Sequence, residues 1–156
     1  MRTLRYSLVV FVVAVAAVGV AYALESAGTA AAAGASGTTA LAPGQTAAAT
    51  VTMTDDNKFK PDKVKVNVGD TVEWKNTAKV AHTVIDDPKV AQKKGNVELP
   101  KGAEAFNSGP VAPGTSWYYT FTTPGTYKYI CGPHEAVGMK GEVVVKEKRE
   151  KDTVKE

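Results

Sequence analysis

The hydrophobic and polar positions along this chain change pattern three times. Residues 6–24 are uncharged and rich in Val and Ala on every side, with Arg2 and Arg5 before them and Glu25 after them. That is the pattern of a segment addressed to a membrane, not of an amphipathic helix packed on a core. Its length lies between the apolar stretch of a secretory signal and a comfortable spanning helix, and Ala21-Tyr22-Ala23 resembles a cleavage site. Residues 1–24 are therefore expected to be a signal peptide or a membrane anchor. Residues 25–49 hold 11 Ala, 4 Gly and 6 Ser or Thr, with Leu41 the one large aliphatic side chain. Such a segment has little to bury and no period to bury it with, and reads as a flexible linker.

From Thr50 the pattern becomes that of short strands. Residues 63–68 alternate strictly, placing Val64, Val66 and Val68 on one face; Gly69-Asp70 turns the chain into 71–75, which sends Val72 and Trp74 inward. Two adjacent strands are expected there. Runs rich in Val, Thr, Tyr and Phe at 50–54, 58–60, 82–85, 116–121, 125–130 and 141–145 add the others, and no stretch carries a helical stripe. The fold class is all-β, a sandwich of seven to eight strands across residues 50–146. Pro113-Gly114-Thr115 and Pro124-Gly125-Thr126 share the chemistry of a type II turn and are expected to bracket a hairpin strand. Residues 87–108 interrupt the pattern with a polar excursion too long for a hairpin turn, carrying Lys89, Lys93, Lys94 and Lys101 against Glu98 and Glu104. A loop of that length in a small domain is a functional or flexible insertion, and its lysines read first as a solvated surface. Residues 147–156 form a charged tail.

Composition narrows the chemistry. In 156 residues there are two histidines, His82 and His134, and one cysteine, Cys131. This excludes a disulfide framework, a zinc finger and any multinuclear centre, leaving room for one small mononuclear site. The formal charge of +3 comes largely from Arg2 and Arg5, so binding to nucleic acid by bulk charge is not expected.

The candidate chemistry lies in one loop. The run Cys131-Gly132-Pro133-His134-Glu135-Ala136-Val137-Gly138-Met139 sets a thiol, an imidazole and a thioether together after an aromatic strand, while His82 sits on a different strand. Each residue alone has an ordinary structural explanation. Jointly, two His, one Cys and a weak axial Met are the ligand set of a blue-copper electron-transfer centre. Thiolate and imidazoles suit Cu(II) and Cu(I) alike, and a long thioether contact leaves a nearly trigonal geometry in both, so little rearranges on electron exchange.

The run from Tyr129 to His134, continuing through Gly138-Met139-Lys140-Gly141-Glu142-Val143-Val144-Val145, resembles the carboxy-terminal copper loop of the plastocyanin branch of the cupredoxins. The shared features are Cys-x2-His-x4-Met, Pro before His, and Gly-Met-x-Gly leading into the last strand. Val68-Gly69-Asp70-Thr71-Val72-Glu73-Trp74 and Ala81-His82-Thr83-Val84 resemble the family's first-ligand region, and 106–114 the stretch between the ligands. The resemblance implies a Greek-key β-sandwich binding one copper ion through His82, Cys131, His134 and Met139. It also implies electron exchange with redox protein partners by transient docking near His134. The chain departs from the family in two places. Thr83 follows the first ligand where Asn is common, and the lysine-bearing insertion 87–105 stands where plant plastocyanins are acidic.

Other functions fit the residues less well. A Cys/His hydrolase needs a freely moving base, an orienting group and an oxyanion hole, so no enzyme is expected. Met is a poor zinc ligand. A carrier or storage protein that holds copper without a redox role is the serious alternative; it would favour an exposed, labile site with clustered Met or His, whereas Met1, Met53 and Met139 are the only methionines. The expected protein is a monomeric electron carrier, exported to the periplasm or another extracytoplasmic space, and associated with a membrane through residues 6–24 if these are retained.

Overall fold

The computed structural model describes residues 37–38 and 40–148. The apolar stretch 6–24, read above as signal or anchor, and residues 149–156 of the tail lie outside the described residues. Eight strands follow one another as β1 Gly37–Thr38, β2 Ala49–Thr54, β3 Lys58–Lys60, β4 Lys63–Asn67, β5 Thr71–Asn76, β6 Ser116–Thr120, β7 Gly125–Ile130 and β8 Lys140–Lys146. One sheet has the order β1-β6-β5-β2-β3 and the other β4-β8-β7. This is the expected all-β Greek-key sandwich, and alternation explains why it closes. β4 buries Val64 and Val66, β6 buries Trp117 and Tyr119, and β8 buries Val143 and Val145, while the residues between them face outward.

The inward faces meet in an aromatic core centred on Trp74. Its ring lies 5.3 Å from Trp117, 5.4 Å and perpendicular to Tyr129, and 6.1 Å from Phe106. Edge-to-face and tilted pairs of this kind add to the stabilisation from burial alone. Gly141 on β8 stands opposite Tyr129 on β7, and a Cβ there would lie 2.4 Å from the phenol ring. Glycine at 141 is thus what lets the last aromatic residue of β7 lie flat across its partner strand just before the candidate loop.

The pairing differs from the sequence expectation in four places. The strands at 63–68 and 71–75 are adjacent in sequence but lie in different sheets: β4 runs parallel to β8, with Val64 opposite Val143, and β5 parallel to β2, with Trp74 opposite Val51. Gly69, at φ 90°, carries the chain across, its amide donating to the Phe121 carbonyl at 2.8 Å. Alternation specifies which face is buried, and two facing sheets satisfy it as well as one hairpin does. β6 and β7 also lie in different sheets, so no hairpin spans Pro124-Gly125. The Pro113-Gly114 turn does form, with the Thr115 amide donating to the Ala112 carbonyl at 3.1 Å and Gly114 at φ 76°. Residues 82–85 form isolated bridges, to Val111, Asn107 and Ile130, instead of a regular strand. Within the segment read as linker, Gly37–Thr38 pairs with the edge of β6, and Gly37 lies against the Trp117 indole where a Cβ would come within 2.1 Å.

One buried acid shapes the pH response of this fold. Asp86 is fully buried; its Oδ1 accepts the Phe106 amide, and its Oδ2 has no partner. Burial, which outweighs that hydrogen bond and is reinforced by Asp87, pushes the carboxyl up to about 7. The folded state therefore holds a proton that the unfolded chain releases near pH 4, so stability falls between about pH 4 and pH 7. Asp86→Asn should gain stability relative to the wild type when denaturant unfolding is measured at pH 8 instead of pH 5. A difference that stays the same at both values would show that Asp86 ionises in the fold as it does in water.

Candidate metal centre

His82 is fixed by its backbone. Its amide donates to the Val111 carbonyl at 3.2 Å and its carbonyl accepts the Val111 amide at 2.8 Å. Asn76, fully buried at the end of β5, braces the same place: its side-chain amide donates to the Val80 and Val111 carbonyls at 2.9 and 2.8 Å, and its side-chain oxygen accepts the Ala78 amide at 2.9 Å. The segment leading to His82 is thus held by one satisfied buried amide group. Asn76 went unnoticed in the sequence because an Asn closing a strand reads as a turn residue.

The other residues come from the loop after β7. Cys131 is extended and opens a 3-10 turn over Gly132–Val137, with Pro133 in its first positions. Proline suits that place because its φ is preset and its missing N–H would have no partner there. Gly138, left-handed at φ 82°, closes the turn. The Cys131 amide then donates to the Met139 carbonyl at 3.0 Å and the Met139 amide to the His134 carbonyl at 3.1 Å. These bonds explain the spacing: four residues between His134 and Met139 let the chain fold back beside Cys131.

The structure brings three of the four expected residues into one cluster. His82 Nδ1 and His134 Nδ1 are 3.2 Å apart, and Cys131 Sγ lies 3.6 Å from the first and 3.3 Å from the second. A point equidistant from the three atoms is about 2 Å from each, the length of a bond from a first-row metal ion to an imidazole nitrogen. His82 and Cys131 are fully buried and His134 is half-buried. Burial and the neighbouring His134 hold the His82 imidazole below its ordinary pKa, against a weaker pull from Asp55, which favours the neutral ring a metal requires. Met139 is fully buried at the foot of the loop.

Around the cluster, Thr83 links the segment of His82 to that of Cys131. Its hydroxyl accepts the Gly132 amide at 2.9 Å, and its own amide and hydroxyl point at Cys131 Sγ from 3.4 and 3.8 Å. Such donors stabilise negative charge on sulfur. Glu135 is the second residue that sequence reasoning missed. It is buried within the 3-10 turn, and its carboxylate accepts the Gln92 amide at 2.7 Å, the Lys93 amide at 3.0 Å and the Asn96 side-chain amide at 2.8 Å. Burial alone would raise its pKa; the three donors outweigh that and hold it below the usual carboxylate range. Its partners lie about forty positions away along the chain, beyond the reach of any local pattern.

Donor types, spacing and burial suit copper, since thiolate with two imidazoles selects a soft to borderline ion. Comparison with known proteins agrees. Residues 45–146 match the family described as copper binding proteins, plastocyanin/azurin family. Plastocyanin of Scenedesmus fuscus is 37% identical over 87 residues, covering 56% of this chain and 85% of that one. Chloroplastic plastocyanin of Tetradesmus obliquus is 34% identical over 87 residues, and this chain spans just over half of it, 57%. Among solved structures, the Cu(I) form of a methionine-to-alanine mutant of amicyanin aligns with a TM-score of 0.50 and 31% identity, covering 65% of this chain and 85% of that one. The chain belongs to the plastocyanin/azurin family of copper-binding proteins.

Proposed function

We propose that this protein is a mononuclear blue-copper electron carrier, holding its ion through His82, Cys131, His134 and Met139 and working outside the cytoplasmic membrane. The observation that carries this reading is the triangle of two imidazoles and one thiol within 3.6 Å, closed on the inside and half-open at His134. Copper, when bound, supplies reversible one-electron chemistry. The chain's part is to keep the donors where they are: His82 is bridged to Val111, Cys131 is bonded to Met139, and Thr83 links the two ligand segments. Donors fixed in this way move little, which is what rapid electron exchange requires of a site. Full burial of His82, Cys131 and Met139 also speaks against a labile copper store, which would need an accessible site.

Two substitutions separate the roles of the sulfurs. Loaded with Cu(II), the protein should show an intense visible thiolate charge-transfer band, which Cys131→Ser abolishes. Met139→Leu should keep the colour and raise the reduction potential, because losing a weak axial donor disfavours Cu(II) more than Cu(I). A colourless protein holding one copper per chain would overturn the assignment, and a fall in potential would remove Met139 from the site.

The path to partners runs through the edge of His134. Pro133, Ala136, Val137 and Gly138 are exposed around it, Val137 at 61%. A small apolar collar favours brief, weak docking. Val137→Asp should slow electron exchange with a redox partner several-fold without altering the visible spectrum, as stopped-flow mixing would register. Unchanged exchange would place the exit elsewhere.

Location follows from the amino terminus. Arg2 and Arg5 precede the apolar run and no basic residue directly follows it, an asymmetry that leaves the copper domain outside. Residues 6–24 are then either removed after Ala23 or kept as an anchor, with residues 25–36 as tether, since Gly37–Thr38 pairs with β6. Membrane fractionation with amino-terminal sequencing distinguishes the two, since a soluble protein beginning at Leu24 rules out the anchor. A cytoplasmic pool of full-length protein would contradict export itself.

A further inference from the structure

The insertion 87–105 is joined to the copper loop by a buried charge. An ionised carboxylate in a protein interior is costly unless several donors surround it. All three hydrogen-bond donors to the Glu135 carboxylate come from residues 92–96. The turn that presents His134 and the segment 92–96 therefore move as one body.

The charges on that body are one-sided. Between residues 88 and 97 the charged side chains are Lys89, Lys93 and Lys94, all exposed, with no acid among them. Of the acids nearby that are not buried, Asp87 alone keeps its charge without an ion-pair partner among the described residues, one carboxylate against three lysines. Asp87 accepts the Lys89 amide at 2.9 Å, Glu98 pairs with Lys128, and Glu135 is inside. None of the three lysines takes part in an ion pair among the described residues. On the opposite flank Lys58 approaches Gly138, and there the charges are mixed, with Asp56 paired to Lys60 and Asp55 accepting the Lys79 amide at 2.8 Å. Val90 is 50% exposed among the lysines and Val137 61% exposed in the copper loop. An apolar spot with a cationic rim is the form of surface that an acidic partner recognises.

We propose that residues 88–94, fastened by Glu135 beside the edge of His134, form the landing surface for an acidic redox partner, whose carboxylates face Lys89, Lys93 and Lys94. This rests on the reading of the protein as an electron carrier with its exit at His134. The reduced, copper-loaded protein would be mixed with two one-electron oxidants of opposite charge, hexacyanoferrate(III) and tris(1,10-phenanthroline)cobalt(III); in each case the protein loses one electron and the complex gains it. At low ionic strength Lys89→Glu/Lys93→Glu/Lys94→Glu should slow the anionic oxidant by about fivefold or more and speed the cationic one, both effects fading as salt is added. Colour and midpoint potential should not change. In a separate titration, polyglutamate should shift the backbone amide resonances of 89–94 and 136–138 in the wild type and not in the variant. Glu135→Gln, which can no longer accept both backbone amides, should speed hydrogen exchange at Gln92 and Lys93 by about tenfold or more.

Equal rates for wild type and triple variant with both oxidants would overturn the landing surface while leaving the electron carrier intact. Polyglutamate shifts confined to other residues would overturn it as well. Unchanged exchange at Gln92 and Lys93 would show that Glu135 does not fasten the segment. Failure of the wild type to give up its electron to either oxidant would instead sink the carrier reading and this inference with it.

Discussion

The two segments that carry the candidate metal centre are brought together by one reciprocal backbone bridge, between Ile85 and Ile130. Each amide donates to the other's carbonyl at 2.9 Å. From that pair the chains run antiparallel, so three residues back from Ile85 stands His82 and one residue on from Ile130 stands Cys131. The next contacts follow in register: Thr83 faces Gly132 through the hydroxyl-to-amide bond, and Cys131 Sγ meets the Thr83 amide. Donors almost fifty positions apart in sequence thus come within 3.6 Å without any residue of either segment being strained to reach. The bridge is also what connects the sheets at this end. Ile130 belongs to β7 in the three-stranded sheet, while His82 is tied to Val111 and, through Asn76, to β5 in the other.

Such a bridge holds its geometry only on a base that does not yield. The base is aromatic: Phe59, Trp74 and Tyr129 pack edge to face directly under the end of β7. Large rings in fixed orientation leave few alternative rotamers, and interiors at this density resist small displacements. The Gly-Met-x-Gly motif gains a physical meaning from this arrangement. Gly138 turns the chain back in a left-handed conformation, Met139 is buried with its backbone bonded to Cys131 and His134, and Gly141 makes room for the Tyr129 ring. Each glycine answers a steric demand of the loop and not a need for flexibility.

Much of this was legible in the sequence because it is local. Strict alternation at 63–68 and the Cys-x2-His-x4-Met spacing each depend on residues within a few positions of one another; the first forms the strand expected, and the second brings Cys131 and His134 together with His82. What escaped is pairing at a distance. Alternation in β4 and β5 says which side is apolar and nothing about which strand lies alongside, so the crossing between sheets at Gly69-Asp70 was read as a turn between neighbours. Residues 82–85 have the composition of a strand, yet they serve as a connector between sheets, held by single bridges to three different segments. Asn76 and Glu135 look like surface residues to any reading of hydropathy. Their burial becomes explicable only when the donors and acceptors that surround them are known.

The cluster also divides its three donors by how firmly the fold holds them. His82 is locked by a double backbone bridge and Cys131 by the end of a strand and the Thr83 donors, so two corners of the triangle are fixed by the sandwich itself. His134 is the exception, since it sits in a single 3-10 turn whose outer residues are exposed. A turn that short is stable only if something holds it from outside, because its few internal bonds do not offset the entropy of ordering it. Two things hold it: the return of the chain at Met139 and the buried Glu135 carboxylate gripping residues 92–96. The solvent-facing corner of the cluster thereby gains firmness from a segment some forty positions earlier in the chain.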